Sequence, residues 1–324
     1  MDVLIQKNKK IVLIGGGTGN STLLKTLKYY TDSITAIVTV GDDGGSSGTI
    51  RKEMGILPPG DIRNCLISLA NKENIMADLM NYRFSAKFMD SENLGNLMIA
   101  AMTDITGSFP LAIKQISEVL AIKGKVLPVS LDEMVLSAVL SDGNTVKGES
   151  QIPLYCKANH TQISKISLDN PHVELYEDCR YAIEDADHII LSPGSLYTSL
   201  IPNLLVDGMV DALLKSNARK TYVVNLMTQS GETFGYDLSK HIQSIELHAN
   251  GEKIIDEIIY NVQDVPEYIV SKYKAENSHI VKNTFDYELK NEYQFIPLNL
   301  VSIKNDILRH NSKNIWEYII DDRQ

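Results

Sequence analysis

Two β-branched runs, KIVLIGG (Lys10 to Gly16) and SITAIVTVGDD (Ser33 to Asp43), bracket the amphipathic stretch NSTLLKTLKYY. That stretch places Leu23, Leu24, Leu27 and Tyr30 on one helical face. Strand, helix and strand within about 30 residues make one βαβ unit, whose strands run parallel with a right-handed crossover. Both runs are mostly apolar and β-branched, as expected of strands covered on both faces. The unit therefore commits the chain to an α/β sheet.

The rhythm returns later. HIILSPGSLYTSLIPNLL (His188 to Leu205) reads as strand, glycine turn and helix, and KTYVVNLMTQSGETFGYDLSKHIQSIELHA (Lys220 to Ala249) as strand, loop and helix. EIIYN, YQFIPLNLV and NIWEYIIDD complete the pattern. In mid-chain, Gly44 to Gly60 is rich in Gly, Ser and Pro and is expected to be a long loop. From Asp61 to about Leu120 the pattern is helical. After Lys125 it turns to β: VLPVS, LSAVL, an Asp142-Gly143-Asn144 turn, TVKGESQI, QISKISLD and HVELY. The expected fold class is α/β: a doubly wound, mostly parallel sheet with helical and β-hairpin insertions over about residues 61–180 of one composite domain spanning 1–324.

A net charge of −10 argues against a nucleic-acid or anionic-membrane surface. MDVLIQKNKK is too short an apolar run for a signal peptide, and no stretch approaches the roughly 18 residues of a membrane span. Cys65, Cys156 and Cys179 are widely spaced, as for reduced, buried thiols in the cytoplasm.

The segment GGGTGN (Gly15, Gly16, Gly17, Thr18, Gly19, Asn20) closes the first strand and opens a helix. It fails the dinucleotide fingerprint G-x-G-x-x-G because Asn20 stands where the third glycine belongs. It fails the Walker pattern for the same reason and lacks the following lysine. Glycines before a helix start still allow backbone amides to converge on an anion, with Thr18, Asn20 and Ser21 as added donors. The alternative is that they only permit tight strand-to-helix packing.

Other strand ends carry polar loops at the same sheet edge, where ligands of open α/β sheets bind. Asp42 and Asp43, in GDDGGSSG, suit Mg²⁺ bridged to phosphates, hydrogen bonds from a sugar or base, or a solvated acidic turn. Asp61 reads as an N-cap, and Arg63 is within reach of a phosphate. Ser192, Gly194 and Ser195 form a second glycine turn into a helix: an anion pocket or a simple capped start. Asn225, Thr228 and Gln229 suit a base or ribose edge, or an ordinary loop. No catalytic residue emerges: there is no G-x-S-x-G, and the seven histidines are scattered. His188 reads as a core histidine, and His241 and His248 have no metal-ligating partner.

The stretches IVLIGGGTGNSTLLKTL, ITAIVTVGDDGGSSGTIRKEMGILPPGDIRNCLISLA, ILSPGSLYTSLIPNLL and NLMTQSGETFGY resemble the YvcK/CofD-like family, in its YvcK or gluconeogenesis-factor branch. The resemblance covers nearly the whole chain. It implies a Rossmann-like domain binding a nucleotide diphosphate at the carboxyl ends of its strands. One branch is a phospholactate transferase using Mg²⁺ on acids of the G-D-D type. The branch resembled here is associated with UDP-sugar binding and with cell shape and wall synthesis during gluconeogenic growth. Carried over, Gly16 to Gly19 would face the diphosphate, with Ser192, Gly194 and Ser195 as a second contact. Asn225, Thr228 and Gln229 would approach the nucleoside, and Tyr273 and Arg309 the sugar. The transferase branch needs apolar room beyond G-D-D for a flat deazaflavin, whereas Gly44 to Gly48 are small and polar.

The preferred expectation is a cytoplasmic regulatory protein, homodimeric, that binds a UDP-sugar such as UDP-N-acetylglucosamine with no cofactor required. The alternative is an Mg²⁺-dependent transferase with Asp42 and Asp43 on the metal. A side chain at Gly17 is expected to abolish ligand binding and leave the fold largely intact.

Overall fold

The computed structural model describes residues 9–71, 75–85, 92–284 and 287–320. Seven parallel strands form the central sheet: β1 (Ile11–Gly15), β2 (Ile34–Val38), β3 (Lys125–Pro128), β7 (His188–Leu191), β8 (Arg219–Val223), β9 (Glu257–Asn261) and β10 (Gln294–Leu298). Their order is β10-β9-β8-β7-β1-β2-β3. The chain leaves β1 in one direction, through β2 to β3, then returns to the other side of β1 through β7 to β10. The order thus reverses between β1 and β7, where a crevice opens at the strands' carboxyl ends.

Side chains alternate across this sheet and feed two cores. Ile11 and Leu13 face one layer with Leu23, Leu24, Leu27, Ile62 and Trp316. Val12 and Ile14 face the other with Leu196, Leu200, Leu213 and Ile242. Continuous apolar strands follow from this double coverage: every residue of β1 and β7 is buried.

Between β2 and β3 lie α2 (Gly45–Met54), α3 (Gly60–Leu69), α4 (Ile75–Asn81), α5 (Leu94–Thr106) and α6 (Phe109–Val119). Residues 72–74 and 86–91 of this predicted helical block lie outside the described residues. The expected loop at Gly44 to Gly60 is instead mostly helix. GSSGTIRKEM has poor intrinsic propensity, but Ser46, Ser47 and Ile50 are buried, and Gly55 closes α2 in the left-handed region. Gly48 has no room for a side chain, since a Cβ there would stand 2.0 Å from the Asp43 carbonyl oxygen. Tertiary contact overrides propensity.

Between β3 and β7 sits an antiparallel sheet of β4 (Leu136–Leu140), β5 (Thr145–Lys147) and β6 (Ile163–Leu168), with α7 (Gln151–Asn159) and α8 (Glu177–Glu184). The Asp142-Gly143 turn joins β4 to β5 as expected. Two readings fail here: ESQI begins α7 rather than extending a strand, and HVELY contributes only a Glu174–Asp207 bridge. His248 accepts the Ile166 amide at 2.9 Å and so fastens β6 to α11 (Leu238–His248).

The remaining elements are α1 (Gly17–Leu27), α9 (Ile201–Leu204), α10 (Met209–Lys215), α12 (Glu267–Lys274), α13 (Tyr287–Glu292), a β11 (Val301–Lys304)/β12 (Ile307–His310) hairpin and α14 (Ser312–Ile320). No helix among the described residues is long and apolar enough to cross a membrane. The three thiols are free and buried.

Trp316 on α14 is fully buried against α1 and donates its indole N–H to the Leu23 carbonyl at 3.1 Å. Trp316→Ala is expected to cost about 3–5 kcal/mol in urea unfolding. Trp316→Phe, which loses mainly the hydrogen bond, is expected to cost about 1 kcal/mol.

Candidate functional site

The two loops at the switch point touch. A Cβ on Gly19 would lie 1.6 Å from the Pro193 carbonyl oxygen, and one on Gly15 would meet Ser192 Cβ at 3.2 Å. Glycine at position 19 is therefore required by backbone approach. Gly16 and Gly17 turn the other way, towards Ser199 and Asp61. A Cβ on Gly17 would stand 2.7 Å from Asp61 Cα, so a side chain there disrupts packing and is no clean probe of binding. Asn20 is buried, with its amide 3.4 Å from the Ile37 carbonyl.

α1 opens without an acidic residue in its first turn and without a side-chain cap from Gly16. Asp61 accepts the Gly17 amide, so this residue caps α1 rather than its own helix. Past Gly17, Thr18 and Gly19 lie on the wall of a cavity. Exposed helix amides with their dipole directed outward favour an anion.

The second glycine turn is built differently. Gly194, at φ +142°, is held by Asn225: its amide donates to Asn225 Oδ1 at 2.8 Å, and Asn225 Nδ2 donates to its carbonyl at 2.6 Å. The Ser195 hydroxyl accepts from Gln229 Nε2 at 2.7 Å. The following π-helical turn, Leu196–Leu200, already has its anion. The buried Glu232 carboxylate accepts the Tyr197 amide at 3.1 Å and the Thr198 hydroxyl at 2.9 Å. Ser192 Oγ lies buried beside this turn without a hydrogen-bond partner.

Acids converge beneath the loops. Asp42 accepts the Gly44 amide (2.9 Å), and Asp43 accepts the Ser150 amide (2.9 Å) from the inserted sheet. Burial, reinforced by Asp42, pushes the Asp61 carboxyl up to about 6. Burial, followed by the charges of Asp42, Asp61, Asp43 and Glu232, pushes Glu149 up to about 9. Asp42 and Asp43 serve separate backbone partners, and no group of three His, Cys, Asp or Glu among the described residues is placed to hold a metal ion. Each acid uses one carboxylate oxygen for its backbone partner, which leaves the other able to meet a cation shared with a phosphate. Arg63 is buried and donates to Asn96 Oδ1 (2.8 Å) and Asn64 Oδ1 (2.9 Å). His188 is a core residue bonded to Thr221 at 2.7 Å.

The cavity has a volume of about 1030 Å³. Of the residues singled out in the sequence, Thr18, Gly19, Gly194, Asn225, Thr228, Gln229, Tyr273 and Arg309 line it together. Gly15, Gly16, Gly17, Asn20, Ser192, Ser195, Asp42 and Asp43 lie outside its lining. Thr228 is pinned by two bonds to the His279 backbone (2.7 and 2.9 Å). Tyr273 OH accepts the Leu308 amide at 3.1 Å, and Arg309 on the next residue carries an exposed guanidinium. Sequence reasoning missed Lys157, His160, Thr161 and Gln162 at the end of α7, Phe234, and the turn Ala275 to Ser278. YCKANHTQ carries no motif; only the fold brings it here.

An α/β protein with a ligand crevice at its topological switch point is thereby defined. The chain belongs to the CofD family: the sequence profile described as 2-phospho-L-lactate transferase CofD matches residues 11–301. A gluconeogenesis factor from Bacillus subtilis is 41% identical over 96% of this chain and 97% of its own length. One from Halalkalibacterium halodurans is 41% identical over 97% of each. A crystal structure of a UPF0052 family member from Bacillus halodurans superposes with a TM-score of 0.92 at 42% identity, covering 97% of this chain and 100% of that one.

The raised carboxyls predict how stability varies with pH. Asp61 and Glu149 hold protons in the folded state that the unfolded chain has released above about pH 4. Their favourable contribution is complete below that pH and is lost as pH rises through about 6 and about 9. Thermal melting is therefore expected to fall between pH 5 and about 9. Glu149→Gln is expected to flatten that slope and raise the melting temperature at alkaline pH; an unchanged slope would contradict this assignment.

Proposed function

We propose that the cavity binds a nucleoside-diphosphate sugar of the UDP type as a regulatory ligand, without turnover, and that the protein links this ligand to cell shape and wall synthesis in gluconeogenic growth. The observation that carries the reading is the open, glycine-rich start of α1, whose Thr18 and Gly19 line a roomy cavity at the strands' carboxyl ends. Asn225, Thr228 and Gln229 supply polar groups for the nucleoside. Tyr273 and Arg309 approach the sugar from the C-terminal segment. The gluconeogenesis-factor names of the relatives favour the regulatory branch.

Two lining groups able to attack or move protons, Cys156 and His310, are poorly set for it. Burial pushes the lining thiol of Cys156 up to about 11 and pulls His310 down to about 4, with its Nε2 2.9 Å from the Val224 carbonyl oxygen. The rival reading, an Mg²⁺-dependent phospholactate-transferase-like enzyme, is favoured by the matching family profile. It would place Mg²⁺ on Asp42 and Asp43, each of which engages a backbone amide through one carboxylate oxygen.

Calorimetry with UDP-sugars and with GDP, each with and without Mg²⁺, separates the two. The regulatory reading expects tight UDP-sugar binding that a chelator does not weaken. Binding restricted to guanine nucleotides with Mg²⁺ would establish the rival instead. Arg309→Ala is expected to weaken UDP-sugar binding by about tenfold or more, the scale of a charge-assisted hydrogen bond, with little change in melting temperature.

A further inference from the structure

The cavity is lined in part by the inserted unit, far from any glycine loop in sequence. Gly231, at φ +86°, packs directly on α7: a Cβ there would meet the Pro153 carbonyl oxygen at 2.5 Å and Lys157 Cγ at 3.1 Å. Gln162 Nε2 adds a bond to the Phe234 carbonyl at 3.3 Å. These contacts join the loop after β8 to α7 and fix the stem of Lys157 at the cavity wall.

The charge balance of that wall is unusual for a chain of net charge −10. Its Lys and Arg side chains are Lys157 and Arg309, and its only carboxylate is Glu276. Among the described residues neither cation forms an ion pair. Glu232, the acid beside Gly231, is buried and bonded to Tyr197 and Thr198; the Lys157 charge favours its ionised form from beyond ion-pair distance and leaves the ammonium at the cavity wall. A pair of unpaired cations on the wall shared with the α1 start suits a ligand with about two negative charges, such as a diphosphate diester.

We propose that Lys157 is a diphosphate-binding residue, so that the inserted sheet and α7 form part of the nucleotide site and not merely a structural appendage. This inference rests on the nucleotide-sugar reading given above. Lys157 supplies a mobile ammonium to the phosphate oxygens, while α1 offers fixed amides and Arg309 stands on the sugar side of the same wall.

The test is calorimetry of wild type, Lys157→Gln and Lys157→Arg with UDP-N-acetylglucosamine and with UDP, at low and high salt. Lys157→Gln is expected to weaken both ligands by about tenfold or more and to flatten the salt dependence. Lys157→Arg is expected to restore most of the affinity. Because Lys157 is exposed, unchanged melting temperatures are expected to accompany the loss. Binding by Lys157→Gln within twofold of wild type, with the same salt dependence, overturns this inference alone. Wild-type protein that binds neither ligand overturns the nucleotide-sugar reading and this inference with it.

Discussion

The backbone contact between Gly19 and the Pro193 carbonyl governs the architecture of the carboxyl edge. It brings the start of α1 against the loop after β7 where strand order reverses. Any side chain at Gly19 would force the two loops apart. The rest of the crevice is arranged around this contact. Asn225 grips Gly194 on one side, and Asp61 reaches the Gly17 amide on the other. Residues from strands more than 200 positions apart in the chain are thereby held as one surface.

The two glycine turns look alike in sequence and differ physically. Each precedes a helical segment; the first reads as an anion pocket or a tight packing turn, the second as an anion pocket or a capped start. After β7 the protein supplies its own anion: the Glu232 carboxylate engages Tyr197 and Thr198. After β1 only Gly17 is engaged by Asp61, and Thr18 and Gly19 face the cavity. A ligand anion therefore finds one helix start open and the neighbouring one already satisfied. Glu232 lies 34 residues beyond Thr198 in the chain, so no local pattern could have announced it.

The sheet was legible because its strands are buried on both faces. IVLIG, ITAIV, HIIL and EIIYN leave little choice of element, and their register follows from parallel pairing. α3, α5 and α6 carried clear helical periodicity. α2 did not, because GSSGTIRKEM is helical through its burial, in which Ser46 bonds Glu92 ahead of α5 and Asn96 within it. For the site, residues within a few positions of a strand end were found, since the sheet edge makes them neighbours. Lys157 and Glu149 were not found: their place depends on how the inserted unit folds back over the edge.

Carboxylates at the two ends of the sheet, buried at one and half-buried at the other, are treated in opposite ways. At the amino edge, Glu257 receives Arg219 at 2.6 Å, Thr221 at 2.5 Å and Tyr318 at 2.9 Å, a set that closes its charge. At the carboxyl edge, Asp42, Asp61 and Glu149 approach one another, and no ion pair engages them among the described residues. Uncompensated acids crowded below a binding surface destabilise the empty fold as they ionise. They also repel an incoming anion unless cations stand between. Arg309 and Lys157 occupy the cavity wall and Asp42 and Asp43 do not, so an anionic ligand of the kind proposed would meet cations there and not those two acids. That separation of charge, more than the glycines themselves, makes this crevice suited to a diphosphate.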